Sequence, residues 1–227
     1  MIAAEDVAGA SGRDIGVLLV DDHRMFAESI ARLLADEEGI AVLGTASTGG
    51  EGIVLAGRLQ PDVVLLDYQM PDLDGVTVAA RIKAARPETM VVMVTGSADD
   101  RVLVAAIEAG CSGFITKDQV AGEVASAVRA AAAGEALITP QMLGRLLPKL
   151  RHTSTHVGAD LTVRELEVLG LLAEGLPTRT IADRLHLSVN TIRNHVQSVL
   201  TKLGAHSKLE AVATAVREGL VTYRTPR

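Results

Sequence analysis

Aromatic residues, cysteine and long apolar runs are scarce in this sequence of 227 residues. Aromatic side chains make up 2% and tryptophan is absent, which argues against a platform on which single-stranded bases or sugars stack. The one cysteine, Cys111, excludes an internal disulfide framework and a cysteine-cluster metal site. It fits a reducing compartment. No apolar run approaches the ~18–20 residues of a membrane span, so we expect a cytoplasmic protein with no membrane partner.

Length, composition and charge favour two modest globular domains. One domain takes ~100–200 residues, and 48% hydrophobic with 22% charged residues is typical of a globular chain. Residues 1–150 hold 12 basic and 21 acidic residues, whereas residues 151–227 hold 10 and 7. The acidic front and mildly basic back indicate different partners. The small net positive charge of residues 151–227 is explained equally well by chance.

The front half alternates short apolar segments with segments of helical spacing. The apolar segments are consecutive rather than alternating, as in parallel strands buried on both faces, and lie at 16–20, 40–43, 63–66, 90–94 and 113–116. The segments between them place apolar side chains on one helix face, as at Phe26, Ile30 and Leu34. Five strands alternating with five helices predict a doubly wound α/β domain with a five-stranded parallel sheet.

Strand patterns end at Gly134, and helical patterns follow. Pro140 can open a helix, and the polar stretch 151–158 lacks periodicity, which is typical of a linker. Four helices are predicted beyond it, at about 163–174, 178–185, 189–203 and 208–218, the last two with Ser188 and Ser207 as N-caps. We therefore predict a disordered extension over 1–14, an α/β domain over 15–134, a linker with one helix over 135–159, and an all-α four-helix domain over 160–227.

Polar side chains stand at the ends of the predicted strands. They are Asp21 and Asp22 after the first strand, Asp67 after the third, Thr95 after the fourth and Lys117 after the fifth. In a doubly wound sheet, ligands bind beyond the carboxyl ends of the strands. Each residue alone is explained as a cap, a turn residue or a solvated charge. Their joint occurrence in this order predicts a site.

The chemistry of this set indicates phosphoryl transfer. Neighbouring carboxylates repel one another unless a cation compensates them, and oxygen ligands around an open position suit Mg²⁺ and a substrate phosphate. A carboxylate can act as a nucleophile and form an aspartyl-phosphate, while Lys117 and Mg²⁺ would neutralise the transferred group. We expect Asp67 to be the nucleophile because it is central and borders the loop 68–75.

Four segments together resemble the receiver domain of bacterial two-component response regulators. They are VDDH at 20–23, DYQMPDLDG at 67–75, VT at 94–95 and FITKD at 114–118. The match covers about residues 15–134 and is specific, because residue types, order and strand positions agree. One departure is Gly96, which stands where alanine is common. The loop after Thr95 is therefore expected to be looser.

The resemblance implies a flavodoxin-like fold and a set of residue roles. A sensor histidine kinase would phosphorylate Asp67, with Mg²⁺ held by Asp22, Asp67 and the backbone carbonyl of Gln69, and by Asp21 through water. Thr95 would hydrogen-bond the phosphoryl group and Lys117 would pair with it. Phe114 occupies the position of the aromatic residue that switches in the family.

The predicted helix over 189–203 fits the major groove of double-stranded DNA. Its apolar side chains share one face, and the other face presents Thr191, Arg193, Asn194, Gln197 and Ser198. Arginine can read guanine, and asparagine and glutamine can read adenine. Lys202 and Lys208 add basic charge. From these features alone, a generic four-helix domain with a solvated polar face explains the pattern at least as well.

A second resemblance favours DNA binding. The segments LTVRELEVL at 161–169, IADRL at 181–185, SVNTIRNHV at 188–196 and KLG at 202–204 are similar to the LuxR-type DNA-binding domain over residues 160–221. It implies that Arg193, Asn194 and Gln197 read bases, and that Thr191 and Lys202 contact phosphates. Together, the two parts resemble the NarL/FixJ subfamily of response regulators.

The sequence thus predicts a cytoplasmic transcription regulator switched by Mg²⁺-dependent phosphorylation of Asp67, and not a dedicated enzyme. Its expected partners are a sensor histidine kinase, promoter DNA, RNA polymerase as a candidate, and a second copy on activation, contacted through the helix over 208–218. Two other classes of protein are alternatives. A small Mg²⁺-dependent phosphohydrolase would turn over phosphate esters beyond one equivalent, and a phosphorylation-independent DNA binder would use its first domain only to dimerise.

Overall fold

The first part of the chain is a parallel sheet flanked by helices. A computed structural model describes residues 13–96, 99–146, 149 and 160–221. The elements alternate in the order β1 Ile15–Val20, α1 Arg24–Ala35, β2 Ile40–Ala46, α2 Gly49–Leu59, β3 Val63–Asp67, α3 Gly75–Ala85, β4 Met90–Thr95, α4 Asp100–Glu108, β5 Gly113–Thr116 and α5 Lys117–Ala132. The five strands are parallel and ordered β2-β1-β3-β4-β5. The predicted flavodoxin-like doubly wound fold is confirmed.

Burial on both faces explains the consecutive apolar residues of the central strands. In β1, Val17 and Leu19 belong to the core layer shared with α1 and α5, whereas Leu18 and Val20 belong to the layer shared with α2, α3 and α4. The expectation that segment 40–43 is equally buried is wrong. Leu43 is 39% exposed because β2 is an edge strand, and the strand runs on to Ala46.

Close packing explains the glycines that open α2. A Cβ atom on Gly52 would lie 2.8 Å from a methyl group of Val20, and one on Gly49 would lie 2.6 Å from a methyl group of Val78. Thr48 caps the helix by accepting a hydrogen bond from the N–H of Glu51. The prediction that these glycines open a helix is confirmed.

The chain after α5 returns along the edge strand β5. Leu137 forms an isolated parallel bridge with Gly113. The N–H of Phe114 donates to the Leu137 carbonyl at 2.7 Å, and the N–H of Leu137 donates to the Ser112 carbonyl at 3.1 Å. We call residues 135–138 the strap. The helix α6, Pro140–Leu146, follows it. The predicted extension over 1–14 and polar stretch 151–158 lie almost entirely outside the described residues.

The C-terminal part is helical throughout its described length. It contains α7 Val163–Ala173, α8 Thr178–Leu185, α9 Val189–Leu203 and α10 Lys208–Arg217. Ser188 and Ser207 cap α9 and α10 by accepting from backbone N–H groups three residues on. The predicted four helices are confirmed to within one residue at each end, whereas the exact domain boundaries stay a prediction.

The two parts pack against each other through α4 and α10. The hydroxyl of Ser207, at the start of α10, donates to the carbonyl of the buried Cys111 at 3.0 Å. Near the other end of α10, Arg217 lies 3.9 Å from Glu108 of α4. In the described parts of the chain, no helix has the length and apolarity needed to cross a bilayer.

Candidate functional site

The acidic site predicted at the strand ends is assembled as expected. Asp21, Asp67 and Thr95 are buried at the carboxyl ends of β1, β3 and β4, and Asp22 is exposed beside them. A cleft of about 350 Å³ opens over the strand ends and is lined by His23, Phe26, Asp67, Gln69, Thr95, Gly96 and Lys117. The topology brings these residues together because parallel strands all end at the same edge of the sheet.

Lys117 is the central cation of the cleft. Its Nζ donates to Oδ2 of Asp67 at 2.8 Å and to Oδ2 of Asp21 at 3.0 Å, and it lies 4.9 Å from the centre of the Phe26 ring. Burial lowers the pKa of Lys117, but its hydrogen bonds with Asp67 and Asp21 outweigh burial and raise the pKa above its ordinary value. Lys117 is therefore held as an ammonium ion between two carboxylates.

The surroundings of Asp67 compensate the negative charge of its carboxylate only in part. Burial raises the pKa of Asp67, the hydrogen bond from Lys117 lowers it, and the nearby Asp21 carboxylate raises it, with a net increase. The N–H of Gln69 approaches the same carboxylate at 3.4 Å. A cation that binds here would relieve the repulsion between Asp67 and Asp21.

The donor set fits a hard divalent cation. Ligand atoms of Asp21, Asp22, His23 and Asp67 all lie within 4.8 Å of one another, and three of the four residues offer carboxylate oxygens, which Mg²⁺ prefers. His23 was not among the expected site residues. Its Nδ1 lies 2.8 Å from Asp22 and 3.3 Å from Asp21, so it shares the acidic cluster from the start of α1.

Two residues hold the loop after β3 in place. A Cβ atom on Gly75 would lie 2.5 Å from the Asp67 carbonyl oxygen, so only glycine lets α3 begin directly beneath the site. Asp72 accepts hydrogen bonds from the N–H groups of Gly49 and Gly50 at 2.9 and 2.8 Å, and these bonds lower its pKa. Sequence reasoning missed Asp72, because its partners on α2 are more than twenty residues away.

Phe114 does not line the acidic cleft. It is buried within the core layer that contains α2, α3 and α4, and its backbone N–H is bonded to the strap. The assigned switch residue therefore touches the segment that leads toward the C-terminal part. Its switching role stays a prediction.

The helix α9 has the two faces that its spacing predicts. Ile192, Val196, Val199 and Leu203 are buried. Arg193, Asn194 and Gln197 are exposed, and Thr191 is half-buried, with its hydroxyl 2.8 Å from that of Ser188. The arrangement matches the predicted base-reading and phosphate-contacting faces, whose roles stay predictions.

The outer face of α9 is turned toward the α/β part. Arg193 and Gln197 line a cleft of about 220 Å³ together with Met90, Ser112 and residues 133–136. Two of the three residues at the predicted base-reading positions, Arg193 and Gln197, therefore face the α/β part across this cleft. The spacing within α9 contains no information about this neighbour, so sequence reasoning left the relation between the two parts open.

Lys202 forms an ion pair within the helical part. Its Nζ donates to both carboxylate oxygens of Glu165 at 2.9 and 2.7 Å, and Glu165 also accepts from the N–H of Thr162 at 2.7 Å. Lys202, and then Thr162, lower the pKa of Glu165 to about 2. The structure thus gives Lys202 a role in joining α9 to α7, and its phosphate contact stays a prediction.

The fold and the acidic cleft define a response regulator that carries a helical output domain. Residues 17–129 match the family model of the response regulator receiver domain, and residues 159–215 match that of bacterial regulatory proteins of the luxR family. The chain belongs to the NarL/FixJ subfamily of two-component response regulators.

Individual relatives cover nearly all of the chain. The transcriptional regulatory protein LiaR of Bacillus subtilis is 36% identical over 209 residues, 91% of this chain and 99% of LiaR. The response regulator protein VraR of Staphylococcus aureus is 34% identical over 207 residues, 91% of this chain and 99% of VraR. A solved complex of the response regulator RcsB with DNA matches with a TM-score of 0.53 and 26% identity, covering 90% of this chain and 99% of RcsB.

Proposed function

We propose that this response regulator is a transcription factor whose DNA binding is switched by Mg²⁺-dependent phosphorylation of Asp67 by a sensor histidine kinase. The observation that carries the proposal is the placement of Lys117 between Asp67 and Asp21, 2.8 and 3.0 Å from their carboxylate oxygens. A phosphoryl group on Asp67 would find a cation already in place. The RcsB complex with DNA supports the DNA-binding role of the shared architecture.

Phosphorylation follows from the chemistry of the residues in the cleft. An oxygen of Asp67 attacks the phosphorus of a phosphohistidine on the kinase, a P–O bond forms, and the P–N bond breaks. Asp22, Asp67 and the Gln69 carbonyl would hold Mg²⁺, with Asp21 acting through water, and the ion would neutralise charge on the phosphoryl oxygens. Lys117 then pairs with the phosphoryl group, and the Thr95 hydroxyl donates to it.

The reaction modifies the protein itself. The acyl phosphate on Asp67 ends when water attacks it, which returns the carboxylate and free phosphate. Such a site needs no pocket for a separate substrate, and we therefore propose that the chain is a phosphoryl acceptor and not a dedicated enzyme.

The packing of the two parts supports a switch in DNA binding. In the unphosphorylated chain, the outer face of α9 is turned toward the receiver, and α10 lies against α4. Movement of Thr95 and then Phe114 toward the phosphoryl group would repack the face formed by α4, β5 and α5. Both α9 and α10 would then be released, α9 to read promoter DNA and α10 to contact a second copy.

A two-fold pair would place two recognition helices on inverted half-sites. The bound dimer would then act on transcription, with RNA polymerase as its candidate partner.

The test begins with the phosphoryl donor. Wild-type, Asp67→Asn and Asp36→Asn chains are incubated with Mg²⁺ and acetyl phosphate and weighed intact, Asp36 being an exposed carboxylate with the same charge. We expect one adduct on wild-type and Asp36→Asn chains and none on Asp67→Asn. An adduct on Asp67→Asn would show that another residue is the acceptor. Turnover of small phosphate esters well beyond one equivalent would favour the phosphohydrolase.

Genome-wide mapping of bound DNA then tests the output. Wild-type and Asp67→Ala chains are compared in the native cell, and we expect site occupancy that depends on Asp67. Equal occupancy would favour the phosphorylation-independent DNA binder.

A further inference from the structure

Glu135 on the strap bridges the two domains. It follows Gly134, which has a φ of +72° and turns the chain out of α5. Its Oε2 lies 3.3 Å from Nζ of Lys208 and 3.4 Å from the backbone nitrogen of Thr178, whose N–H donates to it. Lys208 also donates to the Thr178 hydroxyl at 2.6 Å. One carboxylate of the strap thus contacts the starts of both α8 and α10.

The place that Glu135 occupies is suited to an anion. Thr178 is the first residue of α8, where free N–H groups and the helix dipole favour negative charge. The Lys208 side chain is only 9% exposed. Burial lowers the pKa of Lys208 in spite of Glu135, and the Arg193 cation lowers it further. Two cations and the start of α8 therefore lie near this position, and the Glu135 carboxylate pairs with one of the cations, Lys208.

The same place adjoins the proposed DNA-reading face. Glu135 and Lys208 line one cleft together with Arg193 and Gln197. DNA that reached α9 would bring its phosphates close to Lys208, and lysine side chains with helix N-termini are frequent phosphate contacts. A phosphate and the Glu135 carboxylate cannot occupy this position together.

The strap ties Glu135 to the receiver switch. Two residues beyond Glu135, the Leu137 carbonyl accepts from the N–H of Phe114 at 2.7 Å. The fit is tight, because a Cβ atom on Gly113 would lie 2.5 Å from that same carbonyl oxygen. A displacement of the β5 backbone at Gly113 and Phe114 would therefore be passed to the strap.

We propose that Glu135 is an internal latch that competes with DNA: in the unphosphorylated chain its carboxylate takes the position at Thr178 and Lys208 that a DNA backbone phosphate takes in the bound state. The strap releases it when Phe114 moves. This inference rests on the proposed function, since it names the contact through which phosphorylation of Asp67 would control DNA binding.

Removal of the latch charge should open the unphosphorylated chain. The full chain is titrated onto a mixed-sequence duplex of about 30 base pairs at low salt, followed by fluorescence anisotropy. Glu135→Gln should bind about tenfold more tightly than wild type, because more of the chain is binding-competent. Glu123→Gln, an exposed residue of α5 with the same charge change, should bind like wild type. Equal affinities of Glu135→Gln and Glu123→Gln would overturn the latch.

Disruption of the strap provides a second variant that keeps the carboxylate. Gly113→Ala forces Leu137 away from β5 and should raise the affinity of the unphosphorylated chain toward that of Glu135→Gln. Wild-type affinity in a folded Gly113→Ala chain, checked by its circular dichroism and melting temperature, would overturn the role of the strap.

Lys208 tests the shared anion position. In the chain treated with acetyl phosphate and Mg²⁺, Lys208→Met should weaken binding to the duplex and lower the salt slope by about one. An unchanged slope would show that Lys208 contacts only Glu135, which overturns the competition with phosphate. A wild-type chain whose affinity does not respond to acetyl phosphate refutes the proposed switch. A responsive wild type beside a Glu135→Gln variant that starts from wild-type affinity and responds to the same extent refutes the latch alone.

Discussion

The ion pair between Glu165 and Lys202 should be a main stabilising contact of the DNA-binding domain. It joins the first turn of α7 to the last turn of α9, and the Glu165 side chain is 6% exposed whereas that of Lys202 is 30% exposed. Glu165 also completes a capping box with Thr162. Glu165→Gln keeps an oxygen for the cap and removes the charge, whereas Glu165→Ala removes both.

The expected losses follow from these contacts. A hydrogen bond to a charged group contributes ~1.5–3 kcal/mol, and the partial exposure of Lys202 places Glu165→Gln near the lower end, at about 1.5 kcal/mol. Loss of the cap adds about 1 kcal/mol in Glu165→Ala. For a domain of ~60–100 residues, the melting temperature falls by ~4–8 °C per kcal/mol, so we expect decreases of about 10 and 15 °C.

Calorimetry of the full chain measures both values, and added Mg²⁺ identifies the receiver transition by shifting it. Lys202→Met, alone and combined with Glu165→Gln, completes a double-mutant cycle. We expect a coupling energy of about 1 kcal/mol. A coupling near zero, together with a loss of DNA affinity in Lys202→Met, would refute the structural role and restore Lys202 as a phosphate contact.

Three further predictions concern the metal, the DNA and pH. Mg²⁺ at ten times its Kd should stabilise the wild-type receiver by about 1.4 kcal/mol. The Asp22→Ala variant should lose this stabilisation, and it should melt at a higher temperature than wild type without the ion, because one repelling carboxylate is gone. An undiminished response to Mg²⁺ in thermal melts would exclude Asp22 as a ligand. Arg193→Ala should cost ~1–3 kcal/mol on a matched site and little on a scrambled one, whereas equal losses in a salt-dependent binding series would make Arg193 a phosphate contact. The DNA-binding domain should lose stability as the pH falls from about 4.5 to about 2, since Lys202 lowers the pKa of Glu165 from 4.5 to about 2 only in the folded state. If denaturation curves of Glu165→Gln show an equally steep loss of stability over this pH range, the prediction is contradicted.

Local sequence patterns were sufficient for the fold and the acidic site. Consecutive apolar residues identify β1, β3 and β4, because only a strand covered on both faces needs them. The positions of Asp67 and Lys117 follow from strand order alone, since the carboxyl ends of parallel strands share one edge. The exposure of Leu43 was missed because a run of apolar residues does not distinguish an edge strand from a central one.

Contacts between distant elements were beyond the reach of local patterns. Nothing in the spacing of α9 assigns Lys202 to Glu165, 37 residues earlier. Local spacing also does not show that Arg193 lies opposite the receiver, or that Glu135 contacts Lys208. These pairings depend on the packing of whole elements, so a solvated charge and a partnered charge look the same in the sequence.

The packing of α10 on α4 has a consequence for how the response scales with protein concentration. A partner tethered in the same chain is present at an effective concentration of ~mM, whereas a second copy of the protein competes only at its concentration in solution. If α10 is the dimer contact, as proposed, raising the amount of unphosphorylated protein would be an inefficient route to dimers while the contact through Ser207 and Arg217 is intact. In the proposed switch, phosphorylation would remove the intramolecular competitor, and a dimer would then form at the ordinary affinity of α10 for its copy. The intramolecular contact would thus make DNA binding by the dimer less sensitive to changes in the expression level of the protein.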